Sequence, residues 1–148
     1  MTPDSFSDGG AFLTVDQAVS HAKQMQDEGA DIIDLGAESS RPGAQPIEER
    51  EELNRLMPVL EAVRQAVSLP LSVDTTKAAV ARRAIEAGAC IVNDITALRG
   101  DPLMAGLVAE TGVAVVLMHM QGTPRTMQRV PHYGNVVDEV CAFLRERI

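Results

Sequence analysis

LSVDTTKAAVARRAIEAGACIVNDI, residues 71–95, holds a complete strand, helix and strand. Leu71 to Val73 reads as a short strand that stops on Asp74. Thr75 or Thr76 is placed to cap a helix running to Ala87, and Gly88 ends it at the usual left-handed position. Cys90 to Val92 is the next strand, stopping on Asn93 and Asp94. A helical crossover returns the chain to start the second strand in the first one's direction, so the two are parallel.

The same unit recurs on both sides. Upstream, Thr14 caps a helix over about 15 to 28, with Gln17 completing a capping box and Val15, Ala18, Val19, Ala22 and Met25 as its apolar stripe. Gly29 ends it, and Ile32 to Leu35 forms a strand that leads into the loop SSRPGA at 39–44. A second helical pattern starts near Ile47, with Leu53, Leu56, Met57, Leu60 and Val63 on one face, and Pro58 is expected to kink or restart it. Downstream, Asp101 and Pro102 read as N-cap and first residue of a helix ending before Gly112. Val113 to Met118 is the last strand, and a final helix starts near Asn135. Four strands and about five helices amount to half of an α/β barrel or a small open sheet.

Parallel strands put their polar endings on one rim. Those endings are Asp34 with Glu38, Asp74, Asn93 with Asp94, and His119 with Gln121. Ligands of parallel α/β folds bind at that rim.

A chain of 148 residues, 45% hydrophobic, suffices for one domain. A full eight-stranded barrel needs about 250. No apolar run approaches the roughly 20 residues that span a bilayer, and no signal peptide is evident, so a cytoplasmic protein is expected. The formal charge of −8 argues against nucleic acid as a partner. Cys90 and Cys141 lack metal-ligand or CxxC spacing and read as buried free thiols.

Each candidate motif has two readings at this level. Ser39, Ser40 and Arg41 form either a polar turn or a cradle for phosphate or diphosphate, Arg41 by paired hydrogen bonds. Phe6, within TPDSFSDGG at 2–10, belongs either to a flexible terminus or to a loop that closes over a ligand. Asp74 either caps the next helix or grips a ring with adjacent N–H donors. Asn93 both donates and accepts, and the pair suits a flat heterocycle with mixed edges. Met118 is either core or a thioether against an aromatic ring. His119 lacks a metal-binding partner at the usual spacing and reads as structural. The absence of GxSxG, GxxxxGK[ST] and GxGxxG removes the warrants for a serine hydrolase, a P-loop NTPase and a dinucleotide oxidoreductase.

TPDSFSDGG (2–10), GADIIDLGAESSRPGA (29–44), residues 71–95 and VVLMHMQGTPRTMQ (115–128) resemble, in order, the signatures of bacterial dihydropteroate synthases. The resemblance implies a (β/α)8 TIM-barrel transferase of folate synthesis. It would join dihydropterin-CH2-diphosphate to p-aminobenzoate, with release of diphosphate, Mg²⁺ as cofactor and sulfonamides as inhibitors. It implies pterin contacts at Asp74, Asn93, Ile95 and Met118, and diphosphate contacts at Ser40 and Arg41. Phe6 and Pro42 would belong to the loops that build the p-aminobenzoate site, and the intact protein would be a homodimer. In such enzymes diphosphate is thought to leave first, so a pterin cation forms that the arylamine attacks.

Against that pattern, Met1 stands where the family has Val or Ile after an Mg²⁺-binding Asn, which this chain lacks together with the first strand. The pattern's second pterin-binding Asp, its Lys and its Ser-x-Arg-x-His segment would lie beyond Ile148. Residues 1–148 are therefore expected to be a single partial domain, about half a barrel, inactive alone. Two other readings are a non-catalytic half-barrel that binds pterin and the pterin-binding domain of a corrinoid-linked methyltransferase.

Overall fold

The structure, a computed structural model, describes residues 14–36, 47–123 and 126–148. Four strands, β1 (Ile33–Gly36), β2 (Leu71–Asp74), β3 (Ile91–Asp94) and β4 (Ala114–Leu117), form one parallel sheet in the order β1-β2-β3-β4. The helices are α1 (Val15–Asp27), α2 (Glu49–Ala66), α3 (Ala78–Glu86), α4 (Met104–Thr111) and α5 (Val136–Arg145). A doubly wound sheet reverses its strand order at a switch point. Here every strand pairs with its sequence neighbour, the order that a barrel segment requires.

Alternation along the strands divides the sheet into two faces. One carries Ile33, Leu35, Leu71, Val73 and Val92, all at most 1% exposed. This face meets Leu56, Leu60 and Val63 of α2, Val80, Ala81 and Ala84 of α3, and Met104 and Leu107 of α4 in one continuous core. Each fully buried Leu, Ile or Val contributes about 2 kcal/mol, so this layer dominates the stability. The register places two rows on the opposite face: Asp34, Ser72, Ile91 and Ala114, then Gly36, Asp74, Asn93 and Val116. That face is smaller and more polar, and Val116 is 50% exposed.

Local signals explain most helix ends. Thr14 and Gln17 form the expected capping box, the Gln17 amide N–H donating to Thr14 Oγ1 at 3.3 Å and the Thr14 N–H to Gln17 Oε1 at 2.9 Å. Gly29, Gly88 and Gly112 all have positive φ at the helix ends where they were expected. Asn135 caps α5 by accepting from the N–H groups of Val137 and Asp138. Although α5 has no buried residue, the Phe143 ring ties it down. That ring meets the His119 ring edge-on at 4.8 Å, and the Arg99 guanidinium lies 4.8 Å from its centroid. No helix among the described residues is long and apolar enough to cross a membrane.

Four local expectations are corrected. Of the kink or restart expected at Pro58, the restart does not occur: α2 runs unbroken from Glu49 to Ala66. Pro58 is exposed, so water can reach the carbonyl freed on that side, while Leu56, Leu60 and Val63 hold the helix to the core. Neither Thr75 nor Thr76 is the N-cap of α3; that residue is Lys77, without a side-chain cap of its own. Asp101 does not cap α4, which begins after Leu103; its Oδ1 accepts from Leu103 N–H at 2.9 Å while Oδ2 takes the first N–H of α3, on Ala78, at 2.8 Å. Cys90 and Cys141 are free, as expected, but both are exposed rather than buried, because Cys90 precedes β3 and α5 has no buried face.

Candidate functional site

The register sets Asp74 of β2 beside Asn93 of β3, both at the carboxyl ends of their strands and on the polar face of the sheet. The ladder continues past the strands, with Thr75 N–H donating to the Asn93 carbonyl at 3.2 Å. Asn93 Nδ2 in turn donates to Asp34 Oδ2 on β1 at 3.3 Å, reaching across the strand that carries Asp74. Three side chains from three strands thus converge on one patch of rim. Their half-buried position keeps them accessible to a ligand.

Asp74 is held well above the usual carboxylate range, at about 7. Burial is the main cause, followed by the like charge of Asp34, with Glu52 and Asp94 adding to it. A carboxyl poised there is ionised or protonated according to small changes around it. A ligand that presents adjacent N–H donors favours the ionised form, because only that form accepts on both oxygens.

Behind the rim, Asp94 is fully buried and organises the turn after β3. Its Oδ1 accepts from Thr96 N–H at 2.8 Å and Thr96 Oγ1 at 2.7 Å, and its Oδ2 from Leu98 N–H at 2.9 Å. These bonds hold Ala97 and Leu98 at φ of 51° and 63°, a left-handed pair that ordinary side chains rarely adopt. Ile95 lies in this turn and Met118 directly follows β4, both half-buried. Met118 N–H donates to the Asp94 carbonyl at 3.4 Å, which joins the ends of β3 and β4.

A second buried group lies beneath the segment that follows Asp74. Glu52 of α2 is 1% exposed. Its Oε1 accepts from Thr75 Oγ1 at 2.6 Å, and its Oε2 pairs with Lys77 Nζ at 2.5 Å. Residues 48–52 read EEREE, with no cue that Glu52 alone turns inward. Only the helical phase relative to Leu56 and Leu60 separates it from its neighbours.

His119 contacts Phe143 and, at 5.8 Å between centroids, Tyr133. Gln121 closes the following loop, donating to the His132 carbonyl at 2.6 Å and accepting from His132 N–H at 3.0 Å. Phe6, Ser40, Arg41 and Pro42 lie outside the described residues. No group of three His, Cys, Asp or Glu among the described residues could hold a metal ion. Of the acidic side chains here, Asp94 is committed to three donors and Glu52 to Thr75 and Lys77.

The whole chain, residues 1–148, matches the model of the family described as pterin binding enzyme. The chain belongs to the pterin-binding enzyme family. It is 49% identical over 146 residues to a dihydropteroate synthase of Haemophilus influenzae, covering 99% of this chain and 53% of that protein. A Yersinia pestis dihydropteroate synthase, solved as a complex with a sulfonamide drug, superposes with a TM-score of 0.91 at 47% identity, over 99% of this chain and 53% of that one. A Xanthomonas albilineans dihydropteroate synthase, solved with 4-aminobenzoic acid, superposes at 0.82 with 50% identity, over 99% and 51%. The chain spans about half the length of the relatives it matches. At such identity the four parallel strands correspond to part of the barrel of those enzymes.

Proposed function

We propose that this chain serves a dihydropteroate synthase, with Asp74 and Asn93 holding the pterin ring. The observation that carries the reading is their juxtaposition in register at the carboxyl rim, with Asn93 anchored on Asp34. Asp74 offers acceptors to the ring's N–H groups, while Asn93 can match a mixed edge. Ile95 and Met118 supply apolar walls. The relatives bound to a sulfonamide and to 4-aminobenzoic acid support p-aminobenzoate as second substrate and sulfonamides as its competitors.

In the proposed reaction the pterin CH2–O bond breaks and diphosphate leaves with its electron pair. The arylamine nitrogen forms the new C–N bond and loses a proton to solvent. Positive charge grows on the pterin as diphosphate departs, and an ionised Asp74 balances it. Ser40 and Arg41 are proposed to receive the diphosphate, and Phe6 and Pro42 to border the p-aminobenzoate position. The reading extends to a cytoplasmic location and to a homodimer, the assembly that the resemblance implies.

Titration calorimetry with 6-hydroxymethylpterin tests the site. Binding by the 148-residue chain, weakened at least about tenfold in Asp74→Ala, is the expected result. Absence of pterin binding, or equal binding by the variant, would overturn the assignment.

A further inference from the structure

We propose that Glu52 is a positioning residue for Asp74, acting from α2 through Thr75 and Lys77. The inference rests on the reading of Asp74 as a pterin contact and adds to it the device that holds Asp74 in place.

Thr75 follows Asp74 directly and is 3% exposed. Its hydroxyl donates to Glu52 Oε1 at 2.6 Å and accepts from Lys77 N–H at 3.2 Å, so one oxygen both anchors the segment and shapes its turn. Lys77 brings the second anchor, its ammonium on the other Glu52 oxygen. Both oxygens of one carboxylate therefore fasten residues 75 and 77, while Asp101 holds the N–H of residue 78. Asp74 is the last residue of β2, held by the strand ladder on one side and by this fastening from the next residue on.

A carboxylate that is 1% exposed is expensive to bury for helix packing alone, and an apolar residue there would serve the core better. The two partners it serves lie one and three residues after Asp74. Its α2 neighbours Glu49 and Glu51 are exposed, so burial singles out Glu52 within the acidic run. The groups that face Asp74 from the surrounding elements are Asp34 on β1, Asp94 on β3 and Glu52 on α2, and Lys77 offsets the last.

The test compares Glu52→Ala, Thr75→Val and Thr75→Ser in the 148-residue chain. Dissociation constants for 6-hydroxymethylpterin are measured by calorimetry at pH 8, where Asp74 is ionised, and Asp74 is titrated by carboxyl carbon NMR. Glu52→Ala and Thr75→Val are expected to weaken pterin binding about tenfold, and Thr75→Ser, which keeps the hydroxyl, to stay within about twofold. In the Asp74→Asn background Glu52→Ala is expected to add no further loss, because its effect passes through Asp74. Lower melting temperature with unchanged pterin affinity, or additive losses in the double variant, would overturn the proposal. If Glu52→Ala fails to fold, the contrast between Thr75→Val and Thr75→Ser decides alone. If the parent chain binds no pterin, the functional reading fails but the device remains testable. The Asp74 resonance is then expected to titrate at lower pH in Glu52→Gln, and an unmoved titration would overturn it.

Discussion

Asn93 reaches across the strand that carries Asp74 and donates to Asp34 at 3.3 Å. The bond occupies one amide hydrogen of Asn93 and orients the rest of the amide beside Asp74. Burial first, and then the like charge of Asp34 beside it, hold the Asp74 carboxyl up at about 7.

Asp34→Asn retains an acceptor for Asn93 and removes the like charge. The Asp74 carboxyl is expected to titrate about one unit lower, the usual scale of perturbation for aspartates in folded proteins. Carbon-detected NMR across pH 4 to 9 measures it, and an unchanged titration would show that the charge of Asp34 does not contribute.

The raised value also links stability to pH. Folded Asp74 titrates near 7 rather than 3.8, so the folded state binds the proton more tightly. Its contribution is fully present below about pH 4 and is lost as pH rises through 7. Asp74→Asn should remove that slope and gain stability over the parent between pH 5 and pH 8, by on the order of 2 kcal/mol after allowance for partial solvent access. Urea unfolding at the two pH values gives the difference.

Asp94→Ala strips three donors of their acceptor and leaves Ala97 and Leu98 in the left-handed region without support. A loss of about 3 kcal/mol is expected, since hydrogen bonds to a charged group contribute about 1.5 to 3 kcal/mol each and do not add fully. Denaturant unfolding checks this. A loss below about 1 kcal/mol would mean that the turn holds its shape unaided.

Pro58 interrupts the hydrogen-bond ladder on the exposed side of an unbroken helix. Pro58→Ala restores the donor and should raise stability by about 1 kcal/mol, less than the roughly 3 kcal/mol intrinsic penalty because proline also restricts the unfolded chain. Thermal unfolding reads the change.

Cys90 and Cys141 are both free and exposed. An aromatic disulfide reagent should titrate two thiols in the native chain without denaturant. Release of one thiol or none would place the missing cysteine under cover in solution.

Asp74 and Asn93 were legible from the chain because each ends a short strand, and strands joined by helices must run parallel. Their candidacy for the pterin ring rested on position and chemical complementarity. Glu52 was not legible, because in EEREE a residue that turns inward carries the same side chain as those that face water. Asp101 looked like the cap of the helix that follows it, yet its second oxygen serves α3, twenty-three residues back. Pro58 read as a kink or restart because propensity is local, whereas the packing of Leu56, Leu60 and Val63 on the sheet, which carries α2 past it without a restart, is not.

Periodicity, caps and glycines at helix ends follow from neighbours in the chain, so the order of strands and helices and the endings at Asp74 and Asn93 could be read directly, while Asp34 lies inside β1. The bond from Asn93 to Asp34, the buried Glu52 beneath Thr75 and the proton affinity of Asp74 join residues from different strands and helices. Those depend on which side chains packing brings together and shields from water, which only the folded arrangement decides.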